Sequence, residues 1–433
     1  MDNNIVIIIG FLVLLACLFG RVPIFLSLAI PGLIGIFLLE GMGSLNNLGY
    51  HSWESINKWS MLAVPGFVLM GNLFLHHGFG ADIYDTTYKW LGRLPGGLII
   101  ATVFMSALFG FISGSATAGV ATIGAIAIPE VEKRGYDRRL ALGAFAISGS
   151  LASLIPPSIA MIIYAVMTDV SIGALFVGGI VPGILLASLI SLFVFIRSVI
   201  KPSLCPPGPP VRWRERLKSM SKIIPVILTF IFVLGGIYMG VWSAVEAAAA
   251  GAAFAFLICL LYRRLSFTKI LTSLHATVRI TAMVLMIFVG ASFLNHFLFL
   301  SGANHYLTNL VLSLNLPKVF VIIIVLAIMT IMGCFLDVFA LLLLSIPVFA
   351  PIIVGAGYDL VWFGIIMIVE TELALVTPPV GFNLYVIKDL APSDATMGDV
   401  MIGSLQYIIV VWVLFLLLVL FPELVLWLPG TMG

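Results

Sequence analysis

Residues 94–129 read LPGGLIIATVFMSALFGFISGSATAGVATIGAIAIP, a run of 36 residues without a charge. A helix crosses the hydrocarbon core of a bilayer in about 20 apolar residues. The run is too long for one crossing. A second run, Val319 to Tyr358, is 40 residues long and carries one charge, Asp337, close to its middle. Each is either two full crossings with a turn in water, or a hairpin that turns back at mid-depth. A turn in water would carry Pro, Asn, Lys or Glu. The first centre is instead Ser113-Gly114-Ser115-Ala116-Thr117-Ala118-Gly119, and the second holds a lone carboxylate. Non-helical backbone is tolerated at that depth only where protein or a cavity satisfies it. Re-entrant hairpins are therefore expected over 94–129 and 319–351.

Beyond each run lies a helix that must break. Residues 140–168 are interrupted by Ser153-Leu154-Ile155-Pro156-Pro157-Ser158, and 361–388 by Val376-Thr377-Pro378-Pro379-Val380-Gly381. Two consecutive prolines remove two N–H donors and clash with the preceding turn. These features recur at one offset. Adding 222 carries Pro129 to Pro351, Gly135-Tyr136-Asp137 to Gly357-Tyr358-Asp359, and Pro156-Pro157 to Pro378-Pro379. With three more residues, Thr168-Asp169 reaches Ser393-Asp394 and Gly173 reaches Gly398. Three motifs in one register define a duplicated unit, 94–197 and 319–421. Scaffold helices and an arm fill 1–93, further scaffold helices and a second arm fill 198–318, and 422–433 is a tail.

Composition places the chain in the bilayer. Of 433 residues, 62% are hydrophobic and 9% charged, with a mean hydropathy of +1.21. An average soluble domain carries about 25% charge, so a soluble enzyme and a disordered chain are excluded. A net charge of only +2 excludes a nucleic-acid binder. The cysteines, Cys17, Cys205, Cys259 and Cys334, have neither metal nor redox spacing and read as packing residues. The six histidines form no metal spacing and read as interfacial or structural. Residues 4–19 lack a basic flank and a cleavage site, which marks a retained span. Single crossings are expected at 22–39, 61–75, 223–245, 247–262, 280–303 and 400–422. The amphipathic stretches 80–93 and 304–316 are expected to lie along the interface or to act as arms holding other helices, and 80–93 with the apolar N-terminal helices is expected to dock a small helical subunit and form the fixed scaffold.

The loops orient the repeats. Residues 132–139 hold Lys133, Arg134, Arg138 and Arg139, whereas 354–361 hold no basic residue. Positive charge marks the cytoplasmic side, so the two loops are expected on opposite faces. Inverted repeats with broken helices are a transporter signature.

Broken helices and hairpin tips leave N–H and C=O groups unpaired near the midplane, where they can ligate ions and substrate. In the first unit the tip at 113–119 and the break at 150–158 are rich in hydroxyls and lack acids, which suits Na⁺. In the second, Asp337 aligns with Ser115, Glu370 with Ser148 and Glu372 with Ser150. That half can hold a cation against formal charge or titrate a proton. Glu370 and Glu372 point to nearly opposite sides of a helix, so at most one faces the site. Gly179 and Gly183, and Gly236 and Gly240, have small-residue spacing and read as helix packing. No Lys or Arg lies in the hairpins or breaks, so composition leaves the substrate open.

The run Ile112-Ser113-Gly114-Ser115-Ala116, the Gly135-Tyr136-Asp137 loop and Ile155-Pro156-Pro157-Ser158 resemble the large membrane subunit of tripartite ATP-independent periplasmic (TRAP) transporters. So do Ser171-Ile172-Gly173-Ala174-Leu175-Phe176, Phe335-Leu336-Asp337 and Thr377-Pro378-Pro379-Val380-Gly381. The resemblance covers nearly the whole chain. It implies an all-α polytopic protein of the bacterial inner membrane, an elevator-type importer of organic anions driven by about two Na⁺. It also implies a small four-helix membrane subunit and a soluble periplasmic binding protein as partners. Ser113 and Ser115 match the first sodium site, with Gly114, Ala152 and Pro156 beside them. Asp337 and Thr377 match the second, with Ala374 and Pro378. Ser115, Gly119, Ser158 and Asn383 are the substrate-facing candidates. One position departs: the family often has Asp where this chain has Gly119, which favours a smaller acid, such as a dicarboxylate or sulfonate, over a sialic acid.

Two other functions compete. A stand-alone ion-coupled anion transporter of related fold would need no small subunit. An intramembrane enzyme would need a nucleophile–base or metal set, and neither H-E-x-x-H nor G-x-S-x-G occurs.

Overall fold

The computed structural model describes residues 3–20, 22–114, 116–314 and 316–432, all in helices and their connections. The N-terminal part holds α1 (Asn3–Phe19), α2 (Ile24–Glu40), α3 (Leu48–Ile56), α4 (Ala63–His76) and α5 (Phe79–Leu91). Next come α6 (Gly97–Ser113), α7 (Ala116–Lys133), α8 (Arg138–Ser148), α9 (Leu151–Leu154), α10 (Ile159–Thr168) and α11 (Ile172–Ile200). A middle group is α12 (Trp213–Tyr238), α13 (Ala244–Leu261), α14 (Phe267–Leu300) and α15 (Ala303–Ser313). The last group is α16 (Lys318–Gly333), α17 (Val338–Gly355), α18 (Leu360–Ala374), α19 (Phe382–Leu390), α20 (Met397–Leu420) and α21 (Glu423–Leu426). Among the described residues seven helices are long and apolar enough to cross a membrane, and the pair across the first diproline adds one bent by 47°. The protein is a multi-pass membrane protein.

The offset in the sequence is an offset in the helices. Starts at 116 and 138 recur at 338 and 360, and 172 recurs at 397 after the insertion. Local chemistry explains why. At Gly135 (φ +66°) and Gly357 (φ +79°) the backbone turns left-handed, and Tyr136 N and Tyr358 N close six-residue turns onto Val131 O and Ile353 O. That closure satisfies carbonyls a helix end would leave open, and only glycine adopts it freely. Two residues on, Asp137 and Asp359 cap α8 and α18, accepting from Leu140 N at 2.8 Å and Val361 N at 2.7 Å. The Gly-Tyr-Asp motif is thus a stop followed by a start. Ser171 and Thr396 cap α11 and α20 in the same register.

The two units cross-pair. Arg138, at the start of α8, reaches Asp394 beyond α19 at 2.9 Å. Leu360, the counterpart of Arg138, accepts through its carbonyl from the Tyr164 hydroxyl of α10 at 2.7 Å. The beginning of each broken helix therefore meets the end of the other. That exchange is what a two-fold relation between units produces.

Two expectations are corrected. Pro129 and Pro351 do not end the hairpins, because both lie inside helices that run on to Lys133 and Gly355. A proline near a helix end costs one bond and leaves the last turn intact. Next, α12 starts at Trp213 and α14 at Phe267, well before the apolar runs at 223 and 280, so Lys222, Lys269 and Arg279 are helical. The stretch 80–93, of its two expected parts, takes that of an arm holding other helices. Asp82 pairs with Arg264 at 2.6 Å, and Asp85 pairs with Lys222 at 2.9 Å and Lys89 at 2.8 Å. Both lysines donate to Asp85 and hold its carboxyl below the usual range despite partial burial, while Asp85 in turn holds Lys222 up. So α5 straps the start of α12 to the α13–α14 turn.

Candidate cation and substrate site

The first hairpin turns at Gly114, whose φ of +57° ends α6 while its N–H bonds Gly110 O at 2.9 Å. Its carbonyl accepts from Ile159 N at 3.3 Å. That N–H opens α10, two residues past the diproline, in a broken helix running from Arg138 to Thr168. The tip therefore meets the break partway along a spanning element. A Cβ on Gly114 would come within 2.9 Å of Pro157 O. Glycine is required for both the turn and the approach.

The break supplies carbonyls. Pro156 and Pro157 have no N–H, so Ala152 and Ser153 lose their usual helical donors. Pro378 and Pro379 do the same for Ala374 and Leu375. The second loss is partly made good, since Thr377 N donates to Ala374 O at 3.2 Å and Asn383 N to Leu375 O at 3.0 Å. Both diproline bonds are cis.

The sequence candidates fall into two clusters. In the first, Gly119 of α7 lies buried against Ala152, where a Cβ would stand 3.2 Å from Ala152 Cβ and 4.0 Å from Ser113 Oγ. Ser113 ends α6, half-buried and already engaged. Ser158 is fully buried and caps α10, accepting from Met161 N at 3.4 Å. Pro156 is buried beside it. Ser115 lies outside the described residues.

In the second cluster, Asp337 caps α17, its Oδ1 accepting from Ala340 N at 2.9 Å. A carboxylate offers about four lone-pair sites, so most remain for a cation. Gly333, at the end of α16, packs on Ala374, and Cys334 Sγ lies 3.2 Å from Thr330 O of α16 and 3.6 Å from Pro378 O across the break, sharing one S–H between them. The Thr377 hydroxyl donates to Leu373 O at 2.7 Å, which leaves its oxygen as an acceptor. Among the described residues no hydrogen bond joins Asp337 to Thr377. Asn383 is fully buried, and neither its Oδ1 nor its Nδ2 has a partner. An unsatisfied buried amide costs about 1–3 kcal/mol, so such a group is held for something.

The two glutamates part company. Glu370 accepts from the Thr330 hydroxyl of α16 and is fully buried. Glu372 turns the other way, lining a small void with Ser150, its counterpart in the first unit. Thr330 and Cys334 escaped the sequence reading, because only cross-helix contact reveals them. Cys334 belongs to the tip and is more than a packing residue.

Residues 11–424 match the family described as tripartite ATP-independent periplasmic transporter, DctM component. The chain belongs to that family. The C4-dicarboxylate TRAP transporter large permease protein DctM of Pseudomonas aeruginosa is 33% identical over 94% of this chain and 94% of its own. The sialic acid TRAP transporter large permease protein SiaM of Vibrio cholerae is 29% identical, covering 96% of each. The ectoine TRAP transporter large permease protein TeaC of Halomonas elongata is 30% identical over 94% of this chain and 95% of its own. The DctM-family fold has solved neighbours in the Alcanivorax borkumensis YdaH transporter (TM-score 0.58, 13% identity, 88% and 89% covered) and Neisseria gonorrhoeae MtrF (0.57, 15%, 88% and 85%). These relatives are transporters, and this TRAP large permease is a transporter and no enzyme.

Proposed function

We propose that this permease imports a small organic anion across the bacterial inner membrane, driven by sodium, with its two hairpin units moving as one body past a fixed scaffold. The observation that carries the reading is the meeting of each hairpin tip with a diproline break: Gly114 O on Ile159 N, and Cys334 Sγ on Pro378 O. Each meeting gathers carbonyls, hydroxyls and, in the second unit, a carboxylate. That donor set suits a hard monovalent cation. Ser113, Ser115, Gly114, Ala152 and Pro156 would serve the first cation, and Asp337, Ala374, Thr377 and Pro378 the second.

The anion would then lie between bound cations and the starts of α10 and α19, where Ser158 and the unpartnered Asn383 stand. Helix N-termini attract anions without a basic side chain. Gly119 packs so close to Ala152 that no polar side chain projects there, which supports a compact substrate. Relatives named for C4-dicarboxylates favour that class. A small membrane subunit and a periplasmic binding protein would complete the system. The test is uptake into proteoliposomes holding both membrane subunits, with candidate binding proteins, with and without a sodium gradient. Equal uptake without sodium would end the sodium reading.

A further inference from the structure

Between α1, the end of α14, α15 and the second hairpin lies an open cleft of about 1040 Å³. Among the described residues every one that lines it is apolar, from Leu14 and Leu18 on α1 to Ile331 on α16 and Phe335 just beyond it. Phe19, Phe335 and Ile331 are 68%, 55% and 66% exposed, a large unsatisfied apolar surface inside a fold. Phe19 and Phe335 touch edge to face across it, 5.9 Å between ring centres.

Three occupants are conceivable, and size and polarity separate them. Water and an organic anion have no polar side chain to meet among the described lining residues, so entry would strip their hydration without return. A spanning helix about 30 Å long and 10 Å wide fills roughly 2400 Å³, more than twice the space. An apolar cavity of about 150 Å³ takes a six-carbon ring. At that density 1040 Å³ holds about forty carbons, the content of two acyl chains.

We propose that the acyl chains of a membrane phospholipid occupy this cleft, wedged between α1 and the second hairpin. Phe335 and Leu336 immediately precede Asp337, and Val380 follows the second diproline; all three line the cleft. The chains therefore form an outer wall of the second tip. They fill the seam between α1 and the hairpin with a deformable material, so the two can slide without exposing a void. The cleft has this chemistry whichever cation drives transport.

The test uses the permease with its small subunit in nanodiscs of phospholipid carrying a photoreactive diazirine in mid-chain. After illumination, adducts are mapped by mass spectrometry. Adducts on Leu14, Leu18, Ile331 and Phe335 are expected, beside those on the outer face at Leu257. Leu294→Trp, which fills the cleft, should lower the inner adducts at least fivefold and leave Leu257 unchanged. Labelling at Leu257 without any in the cleft of the wild-type protein would overturn the proposal. So would cross-links from these positions to the small subunit.

Discussion

Ala152 and Ala374, related by the 222-residue offset, take the same part in their two units. Each stands at the end of the half-helix before a diproline, and each receives a close-packed glycine from its hairpin, Gly110 and Gly333. A Cβ on Gly110 would stand 2.7 Å from Ala152 Cα, and one on Gly333 would collide with Ala374 Cβ. The carbonyls of the same two residues are the ones that Pro156 and Pro378 deprive of a donor. Close packing and a carbonyl without its helical donor thus coincide twice, although Ala374 O recovers a donor in Thr377 N at 3.2 Å.

Gly119→Val tests that closeness. A Cβ at 119 already presses on Ala152 Cβ at 3.2 Å, and a branched side chain adds overpacking of about 1–3 kcal/mol. Uptake should fall about tenfold with expression retained. Adding Ala152→Gly should recover part of the loss, measured as initial uptake rates of the three proteins.

Thr330→Val removes the hydroxyl that Glu370 accepts from. A buried carboxyl left without that donor should lower stability by about 1–3 kcal/mol. Glu370→Gln in the same protein should soften the loss. Thermal unfolding of both single variants and the double variant gives the coupling, and additive effects would remove Thr330 from the tip's support.

Asp399 caps α20 with Thr396 and pairs with Arg139 at 2.8 Å. The Thr396 hydroxyl and the Arg139 guanidinium hold its carboxyl down at about 2. A depressed carboxyl contributes stability above its unfolded value, about 3.9, and loses it as pH falls through the folded one. Asp399→Ala should therefore melt lower than wild type at pH 6, with the gap closing as pH falls from about 4 to 2. A pH-independent gap would mean that packing alone is at stake.

Sidedness follows from the cross-pairing of the units. Lys133→Cys and Tyr358→Cys, in a background without the native cysteines, should react with an impermeant maleimide from opposite faces. Labelling of both from one face would contradict inverted units. Tyr136 is a poor probe, since its ring is buried and its hydroxyl accepts from Leu98 N at 3.4 Å.

Much of this was legible in the chain because each signal was local. Charge-free length gave the hairpins, the diprolines gave the breaks, and Gly-Tyr-Asp marked the helix boundaries that the structure places 222 residues apart. What sequence could not supply was contact between distant segments. Nothing near Asp85 in the chain announces Lys222, and nothing near Cys334 announces Pro378. The hairpin ends were misjudged for a different reason: proline at 129 and 351 lies close enough to a helix end for the helix to continue. The opposite headings of Glu370 and Glu372 followed from helical spacing, but their partners, Thr330 and the Ser150 void, did not.

The central claim is that Asp337 holds a sodium ion at the second tip. Asp337→Asn isolates it, because Asn caps a helix about as well as Asp. The bond to Ala340 N is kept and only the charge is lost. A carboxylate inside the membrane costs several kcal/mol unless a cation or proton neutralises it, so on this proposal the acid is kept for its charge. Initial uptake measured against sodium concentration, wild type beside Asp337→Asn in the assembled transporter, decides the matter. Half-activation should move at least tenfold higher in sodium with assembly unchanged; superimposable curves would contradict the account.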